Sequence, residues 1–124
     1  MTLVLIADDD EDIRDLVAFK LEHLGVDVVT AVDGTDALAR VREHRPDLAV
    51  LDISMPGLSG IDVCRIIRAE PELSSTRVIM LTARAQENDV EAGFSAGADD
   101  YVTKPFSPRE LVSRIQTLLT RTQP

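Results

Sequence analysis

Five side chains able to handle a phosphoryl group each follow a short run of strand-forming residues. Asp8 and Asp9 come after Leu3-Val4-Leu5-Ile6-Ala7, and Asp52 after Leu48-Ala49-Val50-Leu51. Thr82 comes after Val78-Ile79-Met80-Leu81, and Lys104 after Tyr101-Val102-Thr103. Apolar runs of this length suit strands buried on both faces. Asp52 is the sharpest case. The Met55-Pro56-Gly57 behind it continues neither a strand nor a helix, so its carboxylate should stand where a core strand emerges into a tight loop. Ligand sites of open parallel sheets lie at such carboxyl ends.

If the first and third strands are neighbours, Asp8, Asp9 and Asp52 crowd together. Crowded carboxylates repel, and one takes up a proton unless a cation is present. An all-oxygen, carboxylate-rich site suits Mg²⁺, which shares its sphere with phosphate oxygens. A carboxylate can act as a nucleophile and form an aspartyl phosphate. Lys104 would offer a mobile point charge to one phosphoryl oxygen and the Thr82 hydroxyl a hydrogen bond to another. Catalysis would be positioning plus electrostatics, and an Asp nucleophile needs no general base. Taken singly, each residue has a plainer reading. An Asp pair after a strand caps a helix, which is all that Asp10 need do. A lone Thr82 is a strand-end hydroxyl, and a lone Lys104 a solvated charge. Their shared placement on one edge carries the chemistry.

The elements that must position them repeat a βα pattern five times. Leu3 to Ala7 reads as a strand, followed by a helix with Ile13, Leu16, Val17, Leu21 and Leu24 on its stripe and Gly25 as its stop. Val26 to Ala31 is a second strand; Asp33-Gly34 turns the chain into a helix over Thr35 to His44 that carries Ala37, Leu38 and Val41, closed by Pro46. Leu48 to Asp52 is the third strand, and Ser59 caps a helix reaching Ala69. A loop over Pro71 to Thr76 precedes the fourth strand, Val78 to Leu81. A weaker helix, Glu87 to Ala96, stops at Gly97. Tyr101 to Thr103 is a short fifth strand. The last helix has Ser107 as N-cap, Pro108 at its first position, Glu110 for a capping box and a stripe of Leu111, Ile115, Leu118 and Leu119. Helices between consecutive strands give parallel strands with right-handed crossovers. The expected fold is therefore α/β, a doubly wound five-stranded parallel sheet. For five strands the flavodoxin-like order 2-1-3-4-5 is the usual solution, and it makes strands 1 and 3 neighbours.

Composition sets the outer limits. The 124 residues suit one domain, spanning 1–124, with 44% hydrophobic residues to fill a core. Aromatics are few, no Trp, one Tyr and three Phe, so aliphatic side chains must do the filling. A net charge of -9 argues against nucleic acid binding through this domain. The one cysteine, Cys64, falls in a helical pattern as a small core residue, permits no intrachain disulfide and suggests a reducing compartment. No apolar run approaches membrane-spanning length, and a cytoplasmic location is expected. His23 and His44, at expected helix C-termini, suit the helix dipole and are not phosphotransfer residues.

Ile6-Ala7-Asp8-Asp9-Asp10, Leu51 to Gly57, Leu81-Thr82-Ala83 and Gly97 to Phe106 together resemble the signature blocks of bacterial two-component response-regulator receiver domains, in order and over essentially the whole chain. The resemblance implies a phosphorelay switch and not a turnover enzyme, although it would catalyse its own phosphorylation and dephosphorylation. Asp52 would accept phosphate from a histidine kinase or phosphotransfer protein. Asp9, Asp52 and the Ser54 backbone carbonyl would bind Mg²⁺ directly, and Asp8 largely through water. Thr82 and Lys104 would contact the phosphoryl group, with Thr82 and Tyr101 as the switch pair. The Lys104-Pro105 bond is expected to be cis. Read without the resemblance, Tyr101 is a strand aromatic with a wet hydroxyl.

The resemblance also bears on partners. Ile13 and Phe19 lie on the helix that meets the kinase in this family, or else pack partly against the fifth strand and last helix. The last third most resembles receivers joined to winged-helix DNA-binding domains, which dimerise through their fourth helix, fifth strand and fifth helix. Asp99, Asp100 and Arg114 match that pattern, whereas Asp89-Val90-Glu91 stands where Arg is usual. Ser54 and Arg84 are expected to affect phosphate lifetime. Met80, Ala83 and the Gly93 to Gly97 region would let the fourth helix shift on phosphorylation. Two other classes share the architecture. A Mg²⁺-dependent phosphohydrolase usually carries a second Asp shortly after the nucleophile, where this chain has Ser54. A flavin module would bring its phosphate to the acidic Asp8-Asp9-Asp10 turn, which repels it.

Overall fold

The structure, a computed structural model, describes residues 2–83, 92 and 94–121. Most of the helix expected over Glu87 to Ala96 falls outside them, as do Arg84, Asp89, Val90, Glu91 and Gly93. The described elements are β1 (Leu3–Ala7), α1 (Glu11–His23), β2 (Asp27–Ala31), α2 (Gly34–His44) and β3 (Leu48–Asp52), then α3 (Gly60–Ala69), β4 (Arg77–Thr82), β5 (Asp100–Thr103) and a C-terminal helix (Pro108–Arg121). The five strands are parallel in the order β2-β1-β3-β4-β5, as the sequence reading expects.

Side chains alternate across a strand, and that alternation divides the core in two. Leu5, Ala7, Ala49, Leu51, Val78 and Met80 pack toward Ala37, Val41, Val63 and Ile67 of α2 and α3. Val4, Ile6, Leu48, Val50, Ile79 and Leu81 pack toward Val17 and Leu21 of α1 and Leu111, Val112 and Ile115 of the C-terminal helix. β3 lies in the middle, and all five of its residues are buried.

Local signals set the helix ends. The Asp10 carboxylate accepts from the N–H groups of Asp12 and Ile13, and that of Asp33 accepts from Asp36. Ser59 forms a reciprocal capping box with Asp62, and the Ser107 hydroxyl accepts from Glu110 N–H at 3.0 Å. Gly25 ends α1 with φ +79°, a left-handed turn suited to glycine.

The stripe expected on α1 is too wide. Val17 and Leu21 are buried, but Leu16 and Leu24 are 46% and 51% exposed. Leu24 stands at the C-cap, where the chain has left the helical path, and Leu16 lies on the flank facing the β5 end. α2 begins one residue before its expected start, with Gly34 inside the helix.

Candidate functional site

The strand register builds the site. Ala7 pairs with Leu51, so Asp8 and Asp52, one step beyond, leave the sheet side by side. Asp52 pairs with Leu81, and Thr82 with Thr103, which brings Thr82 and Lys104 to the same edge. Asp8 and Asp52 are 0% and 4% exposed, Thr82 is 4% exposed, and Asp9 faces solvent.

Backbone donors aim the carboxylates. Asp52 Oδ1 accepts from Ser54 N–H at 3.1 Å, and Asp8 Oδ1 accepts from Asp10 N–H at 2.9 Å. The other oxygens meet one cation. Lys104 Nζ lies 2.9 Å from Asp8 Oδ2 and 2.9 Å from Asp52 Oδ2. Lys104 N–H donates to Thr82 O at 2.6 Å, and the Lys104-Pro105 peptide is cis, as expected. The ammonium is thus delivered by the end of β5 to the mouth between β1 and β3.

Electrostatics reflect the burial. Removal from water pushes the Asp8 carboxyl above its ordinary value, although Lys104 and the Asp10 N–H pull the other way and Asp52 adds to the rise. For Lys104, burial opposes the charged form, but its hydrogen bonds to Asp8 and Asp52 win and hold its pKa above that of an ordinary lysine. The crowding anticipated from the sequence is real, and an internal ammonium answers part of it.

Asp8, Asp9 and Asp52 each offer a carboxylate oxygen within 4.8 Å of the others. This donor set, all oxygen and carrying more negative charge than one ammonium balances, fits a hard divalent cation such as Mg²⁺.

The other residues singled out from the sequence take varied places. The Tyr101 hydroxyl is buried, not wet as the plain reading had it, and the ring lies 6.2 Å from that of Phe94. Met80 is fully buried and Ala83 exposed. Asp100 pairs with Arg114 of the C-terminal helix at 3.0 Å within the chain. Asp99 turns inward to Arg68 at 2.8 Å. Cys64 is buried, donates weakly to Ala96 O at 3.4 Å and has its thiol pushed up to about 11 by burial, an inert core residue. His23 and His44 lie in the last turns of α1 and α2, as expected. Ile13 and Leu16 of α1 line an apolar cavity of about 580 Å³ with Lys104, Pro105 and Phe106, directly beside the site. Phe19 is 60% exposed, its ring 4.2 Å from that of His23.

Two arginines escaped the sequence reading. Arg14 donates to Asp8 O at 2.8 Å and steadies the turn that carries the acidic pair. Arg68 donates to Gly97 O at 2.9 Å and to Ser74 O at 3.1 Å besides its pair with Asp99, tying α3 to the start of β5. Arginines on helices suggest solvated charge, and only the strand order shows which backbone oxygens they can reach.

Known proteins agree with this geometry. Residues 4–116 match the model of the response regulator receiver domain. The chain is 46% identical over 118 residues to the DNA-binding response regulator MtrA of Mycobacterium tuberculosis, covering 95% of this chain and 50% of MtrA. It is 44% identical over 120 residues to the alkaline phosphatase synthesis transcriptional regulatory protein PhoP of Bacillus subtilis, covering 97% and 49%. The solved structure of DrrB, an OmpR/PhoB homologue from Thermotoga maritima, superposes with a TM-score of 0.88 at 40% identity over 98% of this chain and 54% of that one. This chain thus spans about half the length of the curated relatives it matches. With the sheet order and the acidic edge already in place, the chain belongs to the response regulator receiver domain family and is a phosphoacceptor receiver of the two-component type.

Proposed function

We propose that residues 1–124 form one receiver domain in which Asp52 accepts a phosphoryl group from a histidine kinase or phosphotransfer protein. One observation carries the reading: a single ammonium, Lys104 Nζ, spans the buried carboxylates of Asp8 and Asp52 at 2.9 Å each, at the carboxyl ends of β1, β3 and β5. A nucleophilic carboxylate needs to be ionised and aimed. The Ser54 N–H holds Asp52 Oδ1, leaving the other oxygen to attack phosphorus as the bond to the donor's leaving group breaks.

Asp9, Asp52 and the Ser54 carbonyl would hold Mg²⁺ directly, and Asp8 largely through water; when bound, the ion offsets charge on the carboxylates and on the phosphoryl oxygens. Lys104 then moves its ammonium from the Asp52 oxygen to a phosphoryl oxygen while remaining beside Asp8. Thr82, buried at the adjacent strand end, donates its hydroxyl to another. Phosphorylation adds about -1.5 to -2 charge and three strong acceptors at this point. It shifts the domain only by what it gains in the active arrangement over the inactive one. Thr82 and Tyr101 form the switch pair, connecting the site to the face of β5 and the C-terminal helix, which the helix expected over Glu87 to Ala96 would complete. That face governs a homodimer or output, and the Asp100–Arg114 pair lies on it.

The domain catalyses its own phosphorylation and dephosphorylation and is a switch, not a turnover enzyme. It binds no nucleic acid directly and acts in the cytoplasm; among the described residues no helix is long and apolar enough to cross a membrane. MtrA is named as DNA-binding, and by analogy the output here is transcriptional control through a further domain. Intact mass after incubation with acetyl phosphate tests the phosphoacceptor reading. A single phosphate adduct that needs Mg²⁺ and disappears in Asp52→Asn is expected. An adduct retained in Asp52→Asn overturns the assignment of Asp52.

A further inference from the structure

Gly34 looks at first like a turn residue, since it follows Asp33 at the start of α2. The structure puts it inside the helix, and its backbone is not in the left-handed region. Conformational freedom is therefore not why this position is glycine. Glycine also weakens a helix relative to alanine. The explanation is space. An alanine Cβ here would stand 1.7 Å from the Leu58 carbonyl oxygen and 2.5 Å from its carbon, where 3.0 Å is the practical limit. The loop would have to retreat by more than an ångström, and a backbone carbonyl cannot swing aside as a flexible side chain can.

Leu58 belongs to the loop between Asp52 and α3, which also holds Ser54. That loop is short and closed on itself. Gly60 N–H donates to Ile53 O at 3.1 Å, Met55 N–H to Ile53 O at 3.2 Å, and Met55 is buried in the core. It is also fastened to α2, where Gly34 N–H donates to Pro56 O at 3.2 Å. A second close approach lies beside the first: a Cβ on Gly57, whose φ is +77°, would stand 2.8 Å from Thr35 Oγ1. On the opposite side, a Cβ on Gly60 would stand 2.5 Å from Asp52 O, so α3 is seated against the end of β3. The loop is gripped between α2 and the β3–α3 junction, and its internal hydrogen bonds converge on the Ile53 carbonyl, one residue before Ser54.

We propose that Gly34 is a positioning residue for the metal site. By carrying no side chain it lets the first turn of α2 seat the Leu58 and Pro56 carbonyls, and this seating fixes where the Ser54 carbonyl points. The inference rests on the reading in which that carbonyl is a Mg²⁺ ligand. Groups behind a metal's direct ligands set its affinity, and their loss commonly costs about 10–100-fold.

Calorimetric titration of the whole chain with Mg²⁺ tests this. Gly34→Ala should bind Mg²⁺ about tenfold or more weakly, within that same range. The control is Gly25→Ala, also strained at φ +79° but with open space around it and at the far end of α1. It should lose fold stability and keep the parent affinity, which separates a positioning role from general destabilisation. Should Gly34→Ala fail to fold, Gly57→Ala should weaken Mg²⁺ binding and Thr35→Ala, added to it, should restore part of the loss by removing the crowded hydroxyl. A parent chain that binds no Mg²⁺ refutes the metal reading itself. A parent that binds, with folded Gly34→Ala binding equally well, refutes the clamp alone. Gly57→Ala unimproved by Thr35→Ala does the same.

Discussion

Lys104→Ala is the perturbation whose consequences the structure defines most fully. It removes the one ammonium that lies 2.9 Å from both Asp8 and Asp52, whose side chains are 0% and 6% exposed. Removing one partner of a buried ion pair costs about 3–5 kcal/mol, because the other charge stays buried. Lys104 is itself 21% exposed, so water enters when it is truncated, and a loss of about 3 kcal/mol at pH 7 is expected. For a chain of this size that lowers Tm by roughly 10 °C. Two dependences identify the cause. Without the ammonium, the Asp8 carboxyl, already held above its ordinary value by burial, rises further. Native molecules then bind more protons than unfolded ones above that value, so the variant regains stability as pH falls from neutrality toward 5. Mg²⁺ enters a site with one more net negative charge, so it should bind the variant more tightly and raise its Tm more than the parent's. At 100 times its Kd the ion contributes about 2.7 kcal/mol. Thermal melts of both proteins at pH 5 and 7, with and without Mg²⁺, read all of this. A variant that melts at the parent temperature and ignores both pH and Mg²⁺ refutes the picture of two buried carboxylates held by one lysine.

Two further outcomes follow from the same geometry. Asp8→Asn should raise the Tm of the metal-free protein at pH 7, because burial holds this carboxyl above its usual range, while weakening Mg²⁺ binding in titration; a lower metal-free Tm contradicts the assigned strain. Phe19→Ala should change stability by less than about 0.5 kcal/mol, since the ring is 60% exposed. It should leave labelling by acetyl phosphate intact while slowing transfer from a cognate histidine kinase, and equal rates from the kinase count against a docking role for α1.

The sequence made the sheet readable because buried parallel strands appear as unbroken apolar runs. Leu48 to Leu51 and Val78 to Leu81 could be little else, and the residues ending them form the site. Ser59 and Ser107 were equally legible, since capping depends on residues close in the chain. Contacts between distant segments were not. Nothing near Gly34 in the sequence points to Leu58, and nothing near Arg68 points to Gly97 or Asp99. The exposure of Leu16 and Leu24 followed the same rule: helical spacing ranks the faces of α1 but does not say how much of its width the neighbouring elements cover. Tyr101 is the mixed case, legible as a strand aromatic, its hydroxyl's burial visible only once the chain is folded.

The central claim is that the phosphoryl group goes to the carboxylate at the end of β3. Reductive trapping with borohydride after acetyl phosphate treatment converts an aspartyl phosphate to homoserine, which peptide mass mapping locates. The mark should fall on the peptide containing Asp52 and only when Mg²⁺ was present during labelling. A mark on Asp8, on Asp9 or on a residue away from this edge would contradict the account.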